Sequence, residues 1–168
     1  MGDPKRQRKR YESPRFAWSK TAMDSELRLL GEYGLRNKKE LRVHHFMLVK
    51  YRTLARKLLA QSTEERAEME KQILEKLAVL KIVPENSVLD NILDLPIESI
   101  LRRRLQSLVF ARGLSKTPQQ ARQLIAHGHI AIGGKRVTSP SYIVKSDEEQ
   151  DIKCLIPVPG VKIAVAGE

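Results

Sequence analysis

The chain has 168 residues and a formal charge of +11, from 31 Lys and Arg against 20 Asp and Glu. That length holds one domain or two small ones, and its single cysteine, Cys154, excludes an internal disulfide or a multi-cysteine metal site. No apolar run approaches the roughly 18 residues of a membrane helix, and the charged N-terminus lacks a secretion signal's apolar core, so a reducing, cytoplasmic setting is expected.

The charge is unevenly placed. Residues 1–20 carry seven basic and two acidic side chains, and residues 21–98 carry thirteen of each. Between Glu98 and Asp147 there is no acid at all, against nine Lys or Arg. Within the balanced stretch, residues 21–62 are net +5 and residues 63–98 are net −5. One wall of such a protein faces a polyanion and another faces away from it.

Residues 1–20 form a basic arm with two prolines and little periodicity. Lys5, Arg6, Arg8, Lys9, Arg10 and Arg15 are its candidate phosphate contacts, and Tyr11, Phe16 and Trp18 can stack or anchor. Residues 21–98 read as a helical domain. A short helix is expected over 24–31, with a break at Gly31 to Gly34. A long amphipathic helix follows from about Lys39 to Ala60, striped by Met47, Leu48, Tyr51, Leu54, Ala55, Leu58 and Leu59. Arg52 lies beside that stripe. Ser62 and Glu65 fit a capping box for an antiparallel partner helix faced by Met69, Ile73, Leu77 and Leu80. Pro84 to Asn86 mark a loop, and Ser87 to Leu93 a short helix.

Pro96 suits the first turn of a helix running to about Arg112, with Ile97, Ile100, Leu101, Leu105 and Leu108 on one face. Arg104 falls inside that apolar stripe, where an isolated charge is costly, so it must reach a partner or an edge. Arg102, Arg103 and Gln106 point elsewhere, and the Arg triplet opening an acid-free segment reads as an RNA contact.

Thr117 is a good N-cap for the next helix, with Pro118 at its first position and Gln120 completing the cap. Ala121, Leu124 and Ile125 face inward, which places Arg122 on the exposed side. Gly128 ends the helix. Ile130 and Ile132 alternate as a strand, Gly133-Gly134 turn a hairpin, and Lys135, Arg136 and Val137 begin the return. Tyr142 to Val144 and Asp151 to Ile156 suggest further strands, with Cys154 a buried thiol among Ile152, Leu155 and Ile156. The free N–H groups of the capped helix beside Lys116, with Arg122 a turn along, favour phosphate. Gln119, Gln123 and His127 can bond to ribose hydroxyls or base edges, and Lys135 and Arg136 supply further phosphate contacts.

Arg104-Leu105-Gln106, KTPQQARQLIAHGHIAIGGKRV and SPSYIV together resemble the RNA-binding module named after the fourth protein of the small ribosomal subunit, over about residues 102–156. That module also occurs on pseudouridine synthases, rRNA methyltransferases and a tRNA synthetase. GDPKRQRKRYESPRFAW and ELRLLGEYGLRNKKELR are similar to the N-terminal region of the archaeal and eukaryotic branch of that ribosomal protein family. The short C-terminus, without a basic tail, resembles the archaeal form. Many bacterial relatives carry Asp in place of Gln106 and Asn in place of Gly133, and some bind a metal through N-terminal cysteines that are missing here.

The resemblance implies an α+β fold: a basic N-terminal arm and helical domain, then a small module of two helices packed on a short antiparallel sheet. The expected division is 1–20, 21–98, 99–160 and a tail of 161–168. It also implies a structural constituent of the small subunit, not an enzyme. Such a protein binds a helix junction in the 5′ domain of the rRNA, nucleates assembly of the body and influences accuracy beside neighbouring proteins near the mRNA entry. The alternatives are a ribosome-biogenesis ribonucleoprotein subunit and an RNA-modification factor, although residues 1–98 read as arm plus helices without a catalytic fold. No cofactor, small-molecule substrate or membrane is implied. The adjacent pair His44, His45 and the pair His127, His129 on either side of a helix stop have no accompanying Cys or carboxylate cluster, so no metal is expected. Arg36, Asn37, Lys38, Arg52, Arg103 and Arg104 join the RNA-contact candidates already named.

Overall fold

The computed structural model describes residues 2, 9–16, 18–61, 63–84 and 87–156, of which 63–65 by backbone alone. The candidates Lys5, Arg6 and Arg8, Ser62 of the expected capping box, Asn86 and the tail 161–168 lie outside the described residues. The fold is α+β. Helices α1 (Lys20–Glu32), α2 (Lys38–Leu59), α3 (Thr63–Val79), α4 (Leu89–Leu93) and α5 (Ile97–Arg102) precede α6 (Leu105–Ala111) and α7 (Pro118–Ala126). Strands β1 (Ile130–Ile132), β2 (Lys135–Arg136) and β3 (Ile152–Cys154) form an antiparallel sheet in the order β2-β1-β3.

The helical layer closes over Leu48, Ala55, Leu58, Ile73, Leu77, Leu89, Ile92 and Ile100, all buried. These come from the apolar stripes of α2 and α3 and the short helices α4 and α5. A second core joins Leu105, Val109, Ala121, Ile125, Ile130, Val144 and Ile152, where α6 and α7 pack on the sheet. Tyr33, Leu35, Leu41 and Leu101 form a third cluster. Removing this apolar surface from water is the main drive for packing the two layers.

The expected single helix over 97–112 is two helices. Arg104 is extended, at φ −68° and ψ 143°, and bridges Ile143. Leu105 N–H donates to the Tyr142 carbonyl at 2.7 Å, and Val144 N–H to the Arg103 carbonyl at 3.0 Å. The segment 142–144, expected as a strand, therefore forms only this bridge and spends its pairing on breaking the helix. No Pro or Gly marks the break, because a tertiary contact makes it. Helix α1 starts earlier than expected and runs through Gly31, and α4 starts at Leu89 rather than Ser87. Cys154 is half-buried rather than buried, its Sγ donating to the Ile156 carbonyl at 3.1 Å.

Gly34 ends α1 in the left-handed region, at φ +60°. A Cβ there would stand 2.6 Å from Pro118 Cβ and 2.8 Å from Gln106 Nε2. The glycine thus lets the turn before α2 touch the first residue of α7. Gly133 and Gly134, at φ 53° and 80°, make the two-residue hairpin between β1 and β2.

Candidate nucleic-acid interface

The turn between α1 and α2 meets the N-terminus of α7 at the Gly34–Pro118 contact. Asn37 Oδ1 caps α2 by accepting from Glu40 N–H at 3.1 Å. Thr117 Oγ1 caps α7 by accepting from Gln120 N–H at 3.1 Å, while Gln120 Oε1 accepts from Lys116 N–H at 2.7 Å. Gln106, fully buried, ties the two together by donating from Nε2 to the carbonyls of Gly34 (2.8 Å) and Pro118 (3.0 Å). The N-termini of α2 and α7 each present the positive end of a helix dipole. The arm reaches the same end of the molecule, where Lys39 Nζ lies 5.5 Å from the Tyr11 ring centroid.

A half-buried acid sits inside this junction. Glu40, in the first turn of α2, accepts from Arg122 at 2.8 and 3.1 Å and from Arg104 at 2.9 Å. Burial by itself would raise its carboxyl, but the hydrogen bonds and charges of Arg122 and Arg104 prevail and hold it below the usual carboxylate value. For Arg104, burial outweighs Glu40 and lowers its pKa, yet a guanidinium stays charged at any ordinary pH. His44, packed one turn further along α2, is buried, and its pKa falls to about 4, through desolvation first and then the positive Arg104.

This geometry changes the standing of several candidates. Arg122 is not on an exposed face: it is half-buried and doubly bonded to Glu40. Arg104 is 1% exposed and engaged by Glu40. Arg103 is buried, donating to Glu149 and the Val144 carbonyl, each at 3.1 Å. Burial again raises Glu149, but the bonds from Lys81 and Arg103 hold it low. Arg52 is half-buried and donates to the Leu95 carbonyl at 2.8 Å. Lys38 is half-buried in an ion pair with Glu26 at 3.0 Å. An acid-free segment thus draws its internal counterions from outside itself, and three of its arginines serve packing.

The other described candidates are exposed: Lys9, Arg10, Arg15, Arg36, Asn37, Lys116, Thr117, Gln119, Gln123, His127, Lys135 and Arg136. Gln119, Gln123 and His127 follow at intervals of four, so they share one face of α7. That face leads to the hairpin bearing Lys135 and Arg136, and the His127 ring stacks beside His129 with centroids 6.0 Å apart. Arg36 precedes the N-terminus of α2 and Lys116 that of α7. Exposed Arg102, Arg112 and Lys145 add charge elsewhere on the module.

Sequence reasoning missed Glu40. Its signal was available, since it is the only acid between Glu32 and Glu64 and stands in a run of cations. Its partners, 64 and 82 residues away, were not. Among the described residues no group of three or more His, Cys, Asp or Glu could hold a metal ion, and no helix is long and apolar enough to cross a membrane.

The S4 domain family matches residues 103–149. A protein of Metallosphaera sedula named small ribosomal subunit protein uS4 is 51% identical over 153 residues, 90% of this chain and 85% of that protein. Proteins of the same name from Ignicoccus hospitalis and Korarchaeum cryptofilum are 49% and 46% identical. They align over 89% and 94% of this chain, and 90% and 94% of their own lengths. With near-complete coverage at about half identity, and the capped helix and hairpin in place, the chain belongs to the uS4 family.

Proposed function

We propose that this chain is a structural constituent of the small ribosomal subunit that binds rRNA, and that it contributes no catalysis. The uS4 name of its relatives supports the subunit assignment and the absence of enzymatic activity. The observation that carries the RNA reading is the turn leading into α2, packed at Gly34 against Pro118 at the start of α7 and flanked by exposed Arg36 and Lys116. Backbone N–H groups and cations converge there, and a phosphate backbone crossing the junction is neutralised by both.

The α7 face then reads the RNA locally. Gln119, Gln123 and His127 present donors and acceptors to ribose hydroxyls or to unpaired bases. Lys135 and Arg136 at the hairpin engage a second phosphate run. Because Gln106, Glu40, Arg104 and Arg122 lock the helical layer to the module, the two contact areas keep a fixed spacing. A rigid pair of cationic surfaces suits a junction of helices better than a single duplex. Binding such a junction in the 5′ domain, early, would nucleate assembly of the subunit body, with neighbouring proteins near the mRNA entry completing a site that influences accuracy.

The test is RNA crosslinking with residue-level mapping. Crosslinks should fall at Lys116, Gln119, Gln123, His127, Lys135 and Arg136. Crosslinks confined to the acidic α3 face would overturn the proposed orientation. Retention on mature subunits in high salt should accompany them, whereas a biogenesis factor would be released.

A further inference from the structure

The outer side of α3 is unlike the rest of the molecule. Ile73 and Leu77 enter the helical core, but the helix is not apolar on one side only. Val79 and Met69 are 45% and 46% exposed. A cleft of about 690 Å³ runs along the helix to the turn at Ser146 and Asp147. Its floor includes Leu74, Ala78 and Val79. Its walls belong to both layers, and Ser146 N–H donates to the Val79 carbonyl at 2.7 Å, which holds them in register.

The rim of this cleft is acidic. Glu70, Glu75 and Asp147 line it against the single cation Lys71. Glu70 is held by Arg66 of its own helix at 3.1 Å. Glu75 and Asp147 make no ion pair among the described residues. Around them, residues 63–98 are net −5 in a chain of net +11. A polyanion is repelled from this face, while a cation carrying an apolar side chain would both neutralise the rim and cover the floor.

We propose that this cleft docks a lysine- or arginine-rich segment of a neighbouring protein, one that inserts at least one apolar side chain between α3 and the Ser146–Asp147 turn. The inference rests on the reading of the chain as a constituent of a multi-protein subunit. RNA and protein then engage opposite charge zones of the same molecule. The bound segment is an extended strand or a helix turn rather than a domain, because the apolar lining is only a few side chains, chiefly Leu74, Ala78 and Val79. Its affinity depends on neighbours already fixed to the same RNA, through effective concentration.

The experiment uses the full chain assembled into small subunits. A photoreactive amino acid replaces exposed Lys71, and the crosslinked product is sequenced. The expected product is a protein peptide rich in Lys or Arg. Its yield should fall at least tenfold in the Glu75→Lys/Asp147→Lys variant, with the melting temperature of the free variant unchanged. A crosslink to rRNA, a peptide without basic residues, no crosslink, or a yield indifferent to the charge reversal would each overturn the proposal. Binding of the unaltered free chain to junction RNA is titrated separately, so failure of the RNA reading is distinguishable from failure of this one.

Discussion

Replacing Glu40 by Gln removes the charge that two guanidinium groups share, and the consequence can be worked from the structure. Arg104 is 1% exposed, and its Nε and Nη1 have no hydrogen-bond partner among the described residues, so Glu40 is its sole ion-pair partner there. Arg122, 27% exposed, is partly wet. Stripping one partner from a buried pair costs about 3–5 kcal/mol, because the other charge stays buried and unpaired. The wet half of the cluster brings the expectation for Glu40→Gln to about 3 kcal/mol, a large share of the ~5–15 kcal/mol that holds a domain together. Arg122→Ala leaves the Glu40–Arg104 pair intact and should cost about 1–2 kcal/mol, after discounting its two charge-assisted bonds for solvent. The double variant should lose less than the sum, since removing Arg122 relieves its repulsion with Arg104. Urea denaturation of the three variants measures all of this. The Asn37 cap survives in each, because it uses the Glu40 main-chain N–H. The pH dependence has a definite sign. With its folded pKa below the unfolded value of 4.5, Glu40 contributes stability that is present above that value and lost as pH falls through the folded one. Glu40→Gln should abolish that share of acid sensitivity. If Glu40→Gln and Arg122→Ala both unfold within about 0.5 kcal/mol of the unaltered chain, the carboxylate does not lock the two layers.

Gly34→Ala should lower the melting temperature, since the left-handed backbone alone costs about 1–2 kcal/mol and the new Cβ would press on Pro118; an unchanged melt would refute the close approach. His44 has a folded pKa of about 4 against 6.5 unfolded, so its neutral form contributes stability that is full above pH 6.5 and lost toward pH 4. The loss amounts to about 3 kcal/mol at full extent, and His44→Gln should flatten that part of the stability–pH curve. Junction-RNA affinity should fall with salt at a log–log slope of roughly −4 to −5, for about five phosphates met by exposed cations. Lys116→Gln should make the slope shallower by about one; a slope near zero in the unaltered chain would refute the electrostatic reading.

Local chemistry made much of this protein legible. The stripe of α2, the Thr117-Pro118 cap, the Gly128 stop and the Gly133-Gly134 hairpin each follow from neighbours in sequence, because capping and turn formation act over a few residues. The acidic and basic zones could likewise be read by counting. What lay beyond reach was decided by contacts between distant segments. Arg104 inside an apolar stripe announced a need for a partner, but only folding brings Glu40 to it from 64 residues away. The same folding converts Arg103 and Arg122 from surface charges into internal ones, through Glu149 and Glu40. It also splits the helix at Arg104, by offering Ile143 and Tyr142 as backbone partners. Charge along a chain is set by composition, whereas which charges remain free is settled by where carboxylates arrive in space. A desolvated guanidinium cannot stay unpaired, so tertiary structure assigned the partners and left the exposed cations outside.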